Sequence, residues 1–154
     1  MSKANREVLS DWMIVLGAAT LLGSLFLTWS HQFSAPFLVE FGPAISGVPR
    51  DPTAWQVYSA ADIVLALLAV GLLASALFGS RGARWGAVVG AGIALAFVIH
   101  ALAVPPTDGA NIFNPALSVP DYASPGSTAG PGETVALIGL LLALTGLGMS
   151  FTAD

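Results

Sequence analysis

The chain contains no cysteine. Disulfide staples, thiol redox chemistry and Cys-based metal sites are therefore excluded, and any loop must take its shape from packing. Charge is almost as scarce. Only 9% of the 154 residues are charged and 55% are hydrophobic, whereas soluble domains carry about 25% charged residues. A soluble chain of this length could not hide so much apolar surface. Also missing are a phosphate-cradling Gly loop, a G-x-S-x-G elbow, a dinucleotide fingerprint and an HExxH pair. No motif points to catalysis or to a cofactor.

What the chain has instead is four long, charge-poor apolar stretches: Trp12–Trp29, Ala60–Ser80, Trp85–Val104 and Thr134–Phe151. Each is close to the ~20 residues that a helix needs to cross ~30 Å of hydrocarbon. The expected fold is all-α, a four-helix transmembrane bundle forming one domain over residues 1–154. Its helices should run approximately over 11–30, 54–79, 84–104 and 133–151, with two Pro/Gly-rich extracytoplasmic loops. The connections are too short for a further soluble domain.

The few charges orient this scheme. Lys3, Arg6, Arg81 and Arg84 fall on one side of a four-pass chain, and Arg50 is the single basic residue on the other. By the positive-inside rule the basic side is cytoplasmic. The expectation is thus a multi-pass protein of the cell membrane with both termini cytoplasmic. The outer loops carry Glu40, Asp51, Asp108 and Asp121 and no lysine, which argues against nucleic acid or anionic lipid as an outer-side partner. The basic start fits a signal peptide. However, Glu7 and Asp11 interrupt it, the apolar run exceeds a typical h-region, and only Ser34-Ala35-Pro36 offers small residues for cleavage. The first stretch is therefore read as an uncleaved helix.

Local signals refine the ends. Ser10 or Asp11 suits the cap of the first helix, and Trp12, Trp29, Trp55 and Trp85 suit an interfacial aromatic belt. In the first loop, Phe37-Leu38-Val39-Glu40-Phe41 is a short alternating run between prolines. The link Ser80-Arg81-Gly82-Ala83-Arg84 is tight and basic, so the second and third helices should form an antiparallel hairpin. Pro105-Pro106 ends the third. The second loop has the composition of an irregular segment, with Ile112, Phe113 and Leu117 able to dock it. Glu133 opens the fourth helix, where a carboxylate suits the helix dipole.

Small residues recur at four-residue spacing: Ala19 and Gly23, Gly71 and Ser75, Gly86 and Gly90, Gly139 and Ala143. Such pairs let helix backbones approach closely in lipid. Packing inside the bundle is the favoured role; a dimer face is the alternative.

Two ionisable residues lie within the apolar stretches. Asp62 sits about seven residues into the second helix, with Trp55 and Tyr58 at i−7 and i−4 on roughly the same face. A membrane carboxylate is costly and usually faces protein or water. His100 lies in the third helix. Counted outward from the Arg81-Gly82 link, Asp62 and His100 differ in depth by only a residue or two. Antiparallel neighbours could bring them together as a structural clasp or as a proton relay or sensor. Asp62, His100, Tyr58 and Trp55 are accordingly the candidate polar and aromatic cluster. His31 and Glu133 share the outer edge, and with Asp62 and His100 they make a weak His/carboxylate metal set; no metal is expected.

The run Leu25-Phe26-Leu27-Thr28-Trp29, the Pro-rich loop, Trp55-Gln56-Val57-Tyr58 and Asp62-Ile63-Val64-Leu65 resemble small four-helix membrane proteins of actinobacterial type, mostly of unknown function. Thr28 stands where that pattern often has Pro. The topology is also similar to claudin-type tetraspan proteins, without their cysteine signature. Neither resemblance implies an activity. The expected role is a non-enzymatic structural or accessory subunit, with the lipid bilayer and a homo-oligomer or larger membrane complex as partners. The alternatives are a transport or proton-sensing component using Asp62 and His100, and an outer-face lipid-modifying enzyme.

Overall fold

The computed structural model describes residues 3–31, 51–57, 60–105 and 128–153. Within them the apolar stretches form four long helices, α1 (Lys3–Ser24), α3 (Ala61–Phe78), α4 (Arg81–Ala103) and α5 (Pro131–Ala153), with a one-turn helix α2 (Ala54–Val57) ahead of α3. Each long helix has the length and apolarity to cross a membrane, which makes the chain a multi-pass integral membrane protein. α1 packs against α5 and α3, and α4 packs against α5 and α3. The four thus form a ring in chain order, each antiparallel to its neighbours.

The buried positions follow steps of three and four, the spacing that keeps one seam facing a partner helix. On α1 they include Ser10, Ile14, Gly17, Leu21 and Ser24; on α3, Asp62, Leu65, Ala69, Leu72 and Ser75; on α4, Ala91, Ala94, Val98 and Ala101. On α5 they include Glu133, Ala136, Leu140, Ala143, Leu147 and Ser150. The closest pair is α1 with α5. A Cβ placed on Gly17 would lie 2.5 Å from Ala143 N and Gly139 O, and one on Gly146 would lie 2.7 Å from Ser10 O. Only hydrogen at these positions lets the backbones touch. Ser10 Oγ uses the proximity to donate to the Gly146 carbonyl at 2.9 Å.

Of the small-residue pairs, Gly139 and Ala143 lie in this interface, but their partner on α1 is Gly17. Ala19 and Gly23 turn outward. Gly23, Gly71 and Gly86 have open space where a Cβ would be, while Gly90 meets only the Leu68 side chain. Ser75 is buried and returns its hydroxyl to Leu72 O.

Several boundaries differ from expectation. α1 starts at Lys3 rather than near residue 11, so Ser10 is a buried mid-helix residue and not a cap. Asp11 instead accepts from Arg84 Nη2 at 3.3 Å, and Arg6 Nη1 donates to Thr152 O at 3.2 Å. With the Trp85 and Phe151 rings in tilted contact, centroids 4.7 Å apart, these contacts tie α1, α4 and α5 at the end of the bundle that holds the termini. The helix expected over 54–79 is divided into α2 and α3, with a turn at Ala60 that supplies no side-chain cap.

At the opposite end α1 stops at Ser24, before the expected residue 30. Residues Thr28 to His31 run extended, and both loop ends pin to them. Strand β1 (Ser30–His31) pairs antiparallel with β2 (Thr128–Ala129), and Thr28 bridges Thr53. Trp29 N donates to Pro52 O, Gly130 N to Trp29 O and Gly132 N to Thr28 O, at 2.7–2.9 Å. Trp29, expected as an interfacial anchor, is 0% exposed. Its Nε1 donates to Ser24 O at 2.8 Å, which satisfies the one polar atom of the indole. Gly132 lies flat against the ring, leaving no room for a side chain. The Phe37–Phe41 run and the Ile112, Phe113 and Leu117 docking residues lie outside the described residues.

Candidate functional site

The cap formed by residues 28–31, 51–53 and 128–132 covers the loop end of the bundle, and two carboxylates are buried there. Asp62 is the second residue of α3 and Glu133 the third of α5. Each heads the buried seam of its helix, with an apolar or small residue following at i+3. Both are 0% exposed. Among the described residues none of the four side-chain oxygens has a hydrogen-bond partner, and Ser30 Oγ is likewise buried and unbonded. First-turn positions place both groups at the positive end of a helix dipole, which favours a negative charge there by a fraction of the cost of burying it.

The structure does not join Asp62 to His100. No hydrogen bond or ion pair links them, and His100 is exposed. The reason is rotational. Val98 and Ala101 are the seam positions of this turn, so His100, between them, points away from the core, whatever depth the residue count assigns it. Trp55 stands on α2, separate from the helix of Asp62, with its ring 6.0 Å from that of Phe26. Tyr58 lies outside the described residues.

His31 is taken by Asp51, Nδ1 to Oδ1 at 2.6 Å, on the exposed face of the cap. The set His31, Asp62, His100 and Glu133 therefore does not converge. Among the described residues no three metal-capable side chains come together. Glu133 was legible only as a helix-opening carboxylate. The signal for its burial was the three-four spacing that runs from it through Ala136, Leu140 and Ala143 to Leu147.

Chemically, the described part of the site offers carboxylate acceptors and one uncommitted hydroxyl, Ser30 Oγ, with no cation paired to either carboxylate among the described residues. Each carboxylate can be satisfied by a proton or by a small cation entering from the loop end.

No family model matches the chain, and no match is found among curated proteins or solved structures. The four spans fit a small tetraspan-like protein and carry neither resemblance further.

Proposed function

We propose that the protein is a non-enzymatic, proton-responsive subunit of the cell membrane, both termini cytoplasmic, with Asp62 and Glu133 as the responsive groups. One observation carries the reading: both carboxylates are fully buried at the loop end, and among the described residues no group bonds to them. Burying a charge is costly unless it is paired, and an ionisable residue within a membrane span is a functional candidate by default. A proton supplies the missing partner, and its gain or loss would be felt by the cap. Glu133 follows directly on Gly132, whose N–H is bonded to Thr28 O. A charge appearing on Glu133 would draw water toward the segment that clasps both loops. The orientation is supported by Lys3, Arg6, Arg81 and Arg84, all at the end that holds the termini.

Infrared difference spectroscopy of the protein in liposomes, between about pH 5 and 8, tests this. The wild type should show pH-dependent carboxyl bands, one lost in Asp62→Asn and another in Glu133→Gln. A spectrum with no carboxyl change assignable to either residue would sink the proposal.

A second reading, a structural subunit within a homo-oligomer or larger membrane complex, draws on the outward-facing Ala19 and Gly23 of α1. Cross-linking in native membranes separates it from a protein acting alone.

A further inference from the structure

At the base of the α3–α4 hairpin two kinds of surface meet. A polar recess of about 230 Å³ is lined by Glu7, Gly79, Arg81, Arg84 and Phe151. Gly79 also forms the end wall of an apolar groove of about 520 Å³ between α3 and α4. This groove shares Val64 and Leu68 with a second apolar hollow of about 510 Å³ nearer the loop end. The groove stays open because Gly71 and Gly86 stand on its facing walls with no protein atom within 4 Å of a Cβ position. Together the hollows follow α3, whose 18 residues span about 27 Å at the usual helical rise. A charged recess at one end of a long apolar trough has the form of a phospholipid site.

The recess has an unspent charge balance. Arg81 is exposed and forms no ion pair among the described residues. Arg84 commits Nη2 to Asp11, while its Nε is buried with no hydrogen-bond partner. Glu7 forms an ion pair with neither arginine. The recess thus presents guanidinium donors suited to a phosphate and one carboxylate suited to a hydroxyl donor.

We infer that the recess and groove bind an anionic phospholipid with a hydroxylated headgroup, of the phosphatidylglycerol type. Its phosphate lies on the exposed guanidinium of Arg81, with Arg84 lining the recess beside it, a glycerol hydroxyl donates to Glu7, and one acyl chain fills the groove. Basic pockets between membrane helices on the cytoplasmic side recognise anionic headgroups in this way. A second copy seated symmetrically on the groove would bring its own Arg81 to the same recess, and like charges facing each other disfavour that occupant. The inference involves neither Asp62 nor Glu133, so it stands or falls apart from the proton-responsive reading.

The test is native mass spectrometry of the protein released from bilayers of equimolar phosphatidylglycerol and phosphatidylcholine. The wild type should retain phosphatidylglycerol preferentially. Arg81→Ala should lower that retention about five-fold, the worth of one cationic side chain near a membrane surface. Gly86→Leu leaves every charge in place, fills the groove without touching the bundle core, and should abolish retention. Equal retention of the two lipids by the wild type overturns the inference, as does unchanged retention in either variant. A disulfide-linked dimer through Gly86→Cys, with no native cysteine to compete, would assign the groove to a second copy and also overturn it.

Discussion

One methyl group added at Gly17 should force α1 and α5 apart, whereas the same methyl at Gly86 should do no harm. At Gly17 the new Cβ would sit 2.5 Å from Ala143 N and Gly139 O and 2.9 Å from Ala143 Cβ, where ordinary contact begins at 3.4 Å. Two of those atoms are backbone and cannot rotate away, so the helices must separate by roughly an ångström. Overpacking of this kind costs about 1–3 kcal/mol, and the separation would also strain the Ser10 to Gly146 hydrogen bond. At Gly86 nothing lies within 4 Å, and alanine is a better helix former than glycine by about 1 kcal/mol. Gly17→Ala and Gly86→Ala should therefore move stability in opposite directions, with a gap of about 2–4 kcal/mol between them. Unfolding in mixed micelles titrated with a denaturing detergent reads the difference. Equal midpoints, or a larger loss at Gly86, would refute the placement of the α1–α5 interface. Gly139→Ala should follow Gly17→Ala, and Gly23→Ala should follow Gly86→Ala.

Other substitutions test individual contacts. Ser10→Ala removes the buried bond to Gly146 O and should cost about 0.6 kcal/mol, the usual worth of an interhelical bond in membranes, in the same unfolding assay. Trp29→Phe keeps a ring against Gly132 but loses the Nε1 bond to Ser24 O; it should cost about 1 kcal/mol. Trp29→Ala should cost about 3–5 kcal/mol and make residues 51–53 and 128–132 susceptible to limited proteolysis. Asp11→Asn removes the partly exposed partner of Arg84 and should cost less than about 1 kcal/mol, measured by thermal unfolding in detergent. Glu133→Met replaces an unsatisfied buried carboxylate with an apolar chain of similar length. It should raise stability by about 1–3 kcal/mol while erasing that residue's infrared response; a loss of stability would mean that Glu133 is structurally bonded.

Hydropathy located the four spans because the bilayer demands length and apolarity alone, and α1, α3, α4 and α5 satisfy both. It could not place the ends of α1. Residues 3–9 are polar enough to read as a lead, yet they continue the helix, with Arg6 held by Thr152 O and Ser10 by Gly146 O. Those partners lie more than a hundred residues away in sequence. Trp29 shows the same limit: an indole at the edge of a span suits an interface or a core equally well, and the decision came from Ser24 O and Gly132. Four-residue spacing found Gly139 and Ala143 but missed Gly17, because the small residues of α1 shown against α5, Ser10 and Gly17, are seven apart.

The contrast between His100 and Glu133 explains what was and was not readable at the site. Depth along a helix follows from counting, and by depth alone Asp62 and His100 belong together. Azimuth follows from phase, and each residue turns the helix by about 100°, so a match in depth leaves the facing direction undetermined. His100 falls out of phase with Val98 and Ala101, and its imidazole leaves the bundle. Asp62 is in phase with Leu65, Ala69 and Leu72, and Glu133 with Ala136, Leu140 and Ala143. Packing alone would set Leu or Ala at the head of both seams. A carboxylate at either position weakens the bundle in the state that contains no partner for it. Two seams, on helices across the ring from each other, both begin with such a residue under the one cap that joins the loops, and it is this pairing of positions that the proposed protonation response rests on.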